Sequence, residues 1–482
     1  MQGSPAFEIQ QIFPEITLCL FGIAIILLDT FLPKAKRSAA TAIALIGIAV
    51  AAVFTLGLVG ENGTFFSGMI IVDEFSIFFR VTFLIIGGLT ILASSSYVAR
   101  ENLPVGEFQA LMLFAIVGMN LMVASNELIM IFLGLETLSI SSYILLGIKR
   151  SDPKSNESAL KYFLLGSFSS AFLLYGIALT YGATQTANLE SIGRQIAAGS
   201  ASMTLIYAAV GLLFVGFGFK IAAVPFHVWT PDVYEGAPTP ITAFMSVGPK
   251  AAGFGVLLRM LLVAFPATYG KWLGLVWLSA VLTMVLGNCV ALVQSNIKRM
   301  LAYSSIAHAG YILVGVATGN QEGVAAILFY TLSYALMNIG AFTIVALVSR
   351  RGDRKTHIDD FAGLGFKQPG LAAALSIFLL SLAGIPLTAG FAGKFFIFRA
   401  ALESQFIWLT IIGVINSAVS VYYYLRVIVV MYMKESADDW SPVSMSPSAA
   451  SVIALSVFGV LQFGIFPDLL INLARISAIG SR

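Results

Sequence analysis

The sequence predicts an all-α membrane protein of about fourteen transmembrane helices, with two inverted five-helix repeats in which helices 7 and 12 are broken. Composition sets the class. Hydrophobic residues make up 58% of the 482 residues and charged residues only 11%, against about 25% charged in a soluble domain. Mean hydropathy is +0.92. About fourteen apolar runs are long enough to cross ~30 Å of hydrocarbon, at roughly 20 residues each. Two short motifs recur in the same order at nearly equal offsets, which points to internal duplication.

The runs fall into four segments. An N-terminal three-helix segment (1–106) holds the runs 13–33, 39–59 and 74–97. A first repeat (107–264) holds 107–124, 127–148, 158–182, 203–226 and 239–264. A second (265–434, its spans covering about 272–433) holds 272–294, 299–318, 321–349, 371–400 and 405–433. A C-terminal helix near 448–470 completes the chain in segment 435–482. The duplication rests on SSYILLG (141–147) against AGYILVG (309–315), and on FKIAAVP (219–225) against LSLAGIP (380–386). Five spans per unit is an odd number, so the second unit enters the membrane upside-down, a transporter architecture.

Basic residues orient the spans. Lys34, Lys36, Arg37, Arg100, Lys149, Arg150, Lys154, Lys298, Arg299, Arg350, Arg351, Arg354, Lys355, Lys367 and Lys434 fall in loops of one side. The other side holds only Arg194, Lys271, Arg475 and Arg482. The positive-inside rule therefore puts both termini outside. No Lys or Arg precedes Lys34, so the first run reads as a span rather than a cleaved signal.

Candidate chemistry lies in ionisable residues within apolar runs, where each costs at least ~2.5 kcal/mol at a helix centre. The stretch Gly216–Phe254 carries Lys220, His227, Asp232, Glu235 and Lys250, with Pro225 and Pro249 beside the two lysines. Proline opens the helical backbone, so a break is expected at both. Glu136 lies about 14 Å beyond Glu127 along a helix, near mid-membrane. A buried amine titrates readily, since desolvation opposes its charge and a nearby carboxylate restores it. Glu136 and Lys220 are thus a candidate switch pair, against the plainer reading of a static ion pair. His308 suits proton relay near neutral pH, although a lone histidine on an apolar helix is often a satisfied core residue. Lys394 follows SLAGIPLTAGFAGK, whose Pro386 and glycines unwind the helix and free carbonyls; the bland alternative is a lysine snorkelling outward. Lys161 pairs with Glu157 at i,i+4, a surface bridge by default, and joins the candidate path if it reaches inward. Asp73, Glu74 and Arg80 read as interfacial charges, and loop 350–367 with His357 as a solvated or subunit-facing segment.

Other chemistries are set aside. Three histidines and two cysteines (Cys19 and Cys289), all far apart, make no metal or haem site. GFGFKI and GLGFKQ do not complete a dinucleotide glycine pattern, and no Walker sequence occurs. Basic residues scattered over loops do not make a nucleic-acid surface.

GLETLS, ESALKYFLLG, FGFKIAAVPFHVWTPDVYEGAPTPITAF, KRMLAYSSIAHAGY and LAGIPLTAGFAGK together resemble the N-subunit family of bacterial NADH-quinone oxidoreductase, respiratory complex I. The resemblance runs from about Asn120 to Lys394, and HVWTPDVYEGAPTP is its most specific stretch. It implies an antiporter-like membrane-arm subunit that translocates protons when quinone is reduced elsewhere in the complex. By motif, Glu136 resembles the family's fifth-helix glutamate and Lys220 its seventh-helix partner. Lys250 resembles the central eighth-helix lysine, and Lys394 the twelfth-helix residue that exchanges protons with the outside. Lys394 stands where the M subunit usually has glutamate, and the chain has no room for the L subunit's lateral helix. The implied path enters from the cytoplasm near Lys161 and Lys220, passes Lys250 and His308, and leaves from Lys394. Implied partners are the M and L subunits, the small K, J and A subunits, the lipid bilayer and protons, with no nucleic acid. NADH, FMN, iron–sulfur clusters and quinone would belong to other subunits, leaving no cofactor in this chain. The implied location is the bacterial inner membrane with both termini periplasmic. A Mrp-type sodium/proton antiporter subunit is the nearest alternative, and a structural spacer a third.

Overall fold

The computed structural model describes residues 5–31, 38–435 and 443–479. Lys34, Lys36, Arg37 and Arg482, used above for orientation, lie outside the described residues. Among those described, 13 helices are long and apolar enough to cross a membrane. Two shorter helices divide the twelfth apolar run, so the expectation of about fourteen crossings holds.

A short α1 (Pro5–Gln10) precedes α2 (Phe13–Phe31) and α3 (Ser38–Leu56). The antiparallel hairpin of β1 (Gly63–Phe65) and β2 (Ile70–Val72) leads into α4 (Glu74–Arg100). Next come α5 (Val105–Ala124), α6 (Leu128–Leu146) and α7 (Pro153–Thr184), followed by α8 (Leu189–Ala197) and α9 (Met203–Ile221). A short α10 (Trp229–Gly236) precedes α11 (Thr239–Arg259), α12 (Tyr269–Leu292), α13 (Ile297–Thr318) and α14 (Gln321–Val348). The remainder is α15 (Leu364–Lys367), α16 (Pro369–Ala383), α17 (Ala389–Glu403), α18 (Ile407–Met433), α19 (Pro447–Ile465) and α20 (Asp468–Ile476).

Helices α11, α13 and α14 form the centre. Every residue of α14 from Gly323 to Val348 is buried, as expected of a helix apolar all round. Small residues let backbones approach: a side chain at Gly118 of α5 would meet the Gly134 carbonyl of α6 at 2.7 Å. Such contacts drive helix association where lipid removes the hydrophobic incentive. The outer helices α2, α3, α7, α18 and α19 bury only one face.

Several expectations need correction. The helix is broken near Pro225 but not at Pro249, which sits inside a continuous α11. Proline at 249 leaves the Met245 carbonyl without its helical donor, and the Tyr234 hydroxyl donates to it at 2.9 Å. Arg80 is not interfacial: it is fully buried and bridged to Glu15 at 2.9 Å. Asp73 caps α4 and holds Arg259 through two hydrogen bonds of 2.8 and 2.9 Å. Loop 350–367 is not simply solvated, because its Asp353 turns inward onto Thr239, Ser349 and Tyr97. The hairpin was not foreseen, and the last run divides into α19 and an amphipathic α20.

Candidate functional site

Two helix breaks position the site. The first lies after α9, where Ala222 takes a left-handed conformation (φ 59°) and ends the helix. Its freed groups are met by neighbours: Trp229 Nε1 donates to the Phe219 carbonyl, the Val224 N–H to Thr283, and the Ser279 hydroxyl to the Val224 carbonyl. Lys220, in the last turn of α9 and 2% exposed, donates to the hydroxyls of Ser139 (2.7 Å) and Tyr162 (3.4 Å).

The second break lies between α16 and α17, at Gly384 (φ 89°). Here the lysine follows the break. Lys394 Nζ donates to the exposed carbonyls of Leu382 and Ala383 at 3.0 Å each, and to Ser417 at 2.9 Å. It lies 4.8 Å from the centre of the Tyr311 ring. At 4% exposure it does not snorkel.

Between them stands Lys250, on α11 and 4% exposed, donating to the Ser305 carbonyl at 2.9 Å and to its hydroxyl. Ser305 belongs to α13, as do His308 and Tyr311, on one side of that helix at steps of about 4.5 Å. His308 shares hydrogen bonds with the hydroxyls of Tyr330 (2.5 Å) and Tyr424 (3.1 Å), and Ser304 with Tyr424. Thus α13 joins Lys250 at Ser305 to Lys394 at Tyr311, with His308 midway. The link from Lys220 to Lys250 is different. It crosses the rings of Tyr162, Trp229 and Tyr234, whose centroids are 4.6 and 5.9 Å apart in sequence. Lys220 lies 5.2 Å from the Tyr162 ring and Lys250 5.8 Å from that of Tyr234.

Glu136 lies mid-way along α6, half-buried, and accepts from Ser170 at 2.5 Å. It forms no ion pair with Lys220 among the described residues; Ser139, one turn along α6, takes the lysine instead. Lys161 stays at the partly exposed basic end, bridged to Glu157 (2.7 Å) and Asp232 (2.8 Å). Arg299 completes that cluster through Asp232 (2.8 Å) and Glu235 (3.1 Å). Burial pushes the Asp232 carboxyl up, but Lys161 and Arg299 outweigh it and hold it below the usual carboxylate range. Asp353 behaves alike: burial opposes its charge, and Lys298 with the hydroxyls of Thr239, Ser349 and Tyr97 prevails.

Sequence reasoning passed over Arg259, Lys298, Asp353 and the interior tyrosines. The rarity argument used for Lys250 applies equally to Arg259, nine residues on in the same run. No sequence signal pairs Lys298 with Asp353, which meet at 3.6 Å across two distant segments.

Residues 125–420 match the transmembrane family described as NADH:quinone oxidoreductase/Mrp antiporter. The chain is 50% identical over 465 residues to NADH-quinone oxidoreductase subunit N of Trichlorobacter lovleyi, covering 96% of each. It superposes with TM-score 0.82 and 35% identity on a chain of respiratory complex I from Thermus thermophilus solved with bound aureothin, over 96% of this chain and 100% of that one. A chain of the Mrp complex from Dietzia sp. gives the same TM-score of 0.82 at 21% identity, with 96% of each covered. Fold alone therefore does not separate the two groups, whereas identity does. The chain belongs to the NADH:quinone oxidoreductase/Mrp antiporter membrane family, and within it to the NADH-quinone oxidoreductase subunit N group.

Proposed function

We propose that the chain is a membrane-arm subunit of a bacterial NADH-quinone oxidoreductase and moves protons across the inner membrane as quinone is reduced elsewhere in the complex. The observation that carries this reading is an interior line: Lys250 bonds to Ser305, His308 follows one turn along α13 and meets the Tyr311 ring, and Lys394 lies against that ring. Amines and hydroxyls buried in contact exchange protons over short steps, and such groups are retained in a membrane at a cost that function offsets.

On this reading Lys220 receives protons at the basic-loop face, which the positive-inside rule makes cytoplasmic. Lys250 and His308 pass them on, and Lys394 releases them to the periplasmic side, where both termini lie. Lys161, with Asp232 and Arg299, attracts and orders charge at the mouth. Glu136 biases Lys220 through its field rather than by contact. The 107–264 and 265–434 units are inverted copies that place one broken helix in each half. NADH, FMN, iron–sulfur clusters and quinone are held by other subunits. Glu136 is only half-buried on an otherwise lipid-type face of Leu133, Ile140, Leu164 and Phe168, and the cost of a carboxyl against lipid supports a neighbouring membrane subunit there, drawn from the M, L, K, J and A set.

The Mrp complex chain takes the same fold but is less similar in sequence, and a sodium/proton antiporter is the second reading. Lys250→Met tests the reading in proteoliposomes holding the intact complex. Proton pumping driven by NADH should fall by about a hundredfold while the complex stays assembled. Normal pumping would leave the subunit a structural spacer, and sodium-dependent proton movement without NADH would favour the antiporter.

A further inference from the structure

Lys250 has polar surroundings on a second side that the line from Lys220 does not use. A cavity of about 440 Å³ opens at the basic-loop face, lined by Lys149, Asp152, Glu235, Lys298, Arg299 and Asp353 among others. Its inner wall is built of well-ordered contacts. Asp353 accepts from the Thr239 hydroxyl (2.8 Å) and N–H (3.2 Å), from Ser349 (2.9 Å) and from Tyr97 (2.9 Å). Lys298, only 1% exposed, donates to the Ala237 carbonyl at 2.6 Å and stands 3.6 Å from Asp353. Glu101, on the far side, is engaged by Arg100, Lys149 and the Gly352 N–H.

Thr239 opens α11. From it, Thr242, Ser246 and Lys250 follow at spacings of three and four, which puts all of them on one stripe of the helix. All of these are buried. The stripe spans about 16 Å from the mouth to the amine. Helix α14 runs antiparallel beside it: its C-terminal Ser349 bonds Asp353, and its Tyr334 lines a small space of about 10 Å³ with Lys250, Ser305 and Thr331. That volume is about one water. The Tyr334 hydroxyl lies near Ser305 and Asn338. Among the described residues it has no hydrogen-bond partner, nor does either end of the fully buried Asn338 amide, one turn nearer Asp353. Buried polar groups are ordinarily satisfied, by ordered water if not by protein.

We propose that the hydroxyl stripe of α11, capped by Asp353 and faced by Tyr334 and Asn338 of α14, is a second proton inlet that supplies Lys250 directly and bypasses Lys220. This rests on the proton-translocating reading above. Asp353, with Lys298 as its counter-charge, collects protons at the mouth. Thr242 and Ser246 carry them inward with intervening water, and Tyr334 orients the last water on Lys250. Each hop makes one O–H or N–H bond and breaks another, so no further reactant is needed. The aromatic barrier between Lys220 and Lys250 explains why a separate supply is useful.

The test uses the intact complex in proteoliposomes and measures NADH-driven pumping against the pH on the basic-loop side. Thr242→Val and Tyr334→Phe remove one hydroxyl each at nearly constant volume, and Thr242→Ser keeps it. The inlet predicts that the first two slow pumping at least about tenfold at neutral pH. Since delivery then scales with proton concentration, their half-maximal pH moves about one unit to acid. Thr242→Ser should behave as the parent. Wild-type rate and pH midpoint in both hydroxyl-less variants, in a system where Lys250→Met does not pump, would overturn the inlet and leave the function standing. A slowed rate with an unmoved midpoint would also overturn it, since a merely structural role does that. If Lys250→Met pumps normally too, the functional reading itself fails.

Discussion

The two links on either side of Lys250 are built from different materials. Toward Lys394, α13 offers hydroxyl, imidazole and phenol at successive turns: Ser305 accepts from Lys250, His308 shares hydrogen bonds with the Tyr330 and Tyr424 hydroxyls, and the Tyr311 hydroxyl accepts from Asn288. Toward Lys220 stand the tilted and edge-on rings of Tyr162, Trp229 and Tyr234: the Tyr162 hydroxyl accepts from Lys220, while Trp229 Nε1 donates to the Phe219 carbonyl and Tyr234 to the Met245 carbonyl. The helix breaks differ in the same sense. In the first, the lysine precedes the break and leaves its carbonyls to other partners. In the second, the lysine follows the break and occupies its carbonyls itself. On the proposed path, one end of the line crosses aromatic packing and the other runs along polar groups.

Variants can break this contrast. Lys394→Met should have the largest effect, lowering NADH-driven pumping by about a hundredfold in proteoliposomes, because Lys394 ends the proposed path. Gly384→Ala should come next. A left-handed alanine costs about 1–2 kcal/mol, and its methyl would come within 3.1 Å of Lys394 Cδ. Pumping several-fold below the parent with normal assembly is expected. Ala222→Gly, at the corresponding turn of the first break, should leave pumping within about twofold and relieve the same strain. Lys220→Ala should sharpen the contrast, losing less than Lys250→Met if Lys250 has its own supply. The smallest effect concerns acid. The Asp232 carboxyl is held below its unfolded value, so its stabilising pairing with Lys161 and Arg299 is complete above about pH 4. It is lost as pH falls through the lower folded value. An Asp232→Asn complex should therefore lose less stability than the parent between neutral pH and pH 3, as read by thermal melting.

Much of this was legible from residue types alone. Apolar length marked the crossings, and the rarity of charge in them marked Lys220, Lys250, His308 and Lys394, each of which the structure buries within a few percent. Gly384 and Pro386 announced the second break. What failed depended on partners distant in the chain. Pro249 signals a break only until Tyr234 supplies the missing donor. Arg80 looked interfacial until Glu15 met it. Asp353 looked solvated until Thr239 and Lys298 reached it. The aromatic barrier had no sequence signature, since tyrosine and tryptophan in apolar runs also serve as ordinary core.

On the proposed path, buried acid and base groups stand close enough, directly or through water, to pass a proton from Lys250 to Lys394. The most direct measurement is a map of the assembled complex at a resolution that shows ordered water. Every gap along Lys250, Ser305, His308, Tyr311 and Lys394 should be closed by hydrogen-bonded water or side chain, while the Trp229 region stays dry. A dry, apolar gap between His308 and Lys394 would contradict it.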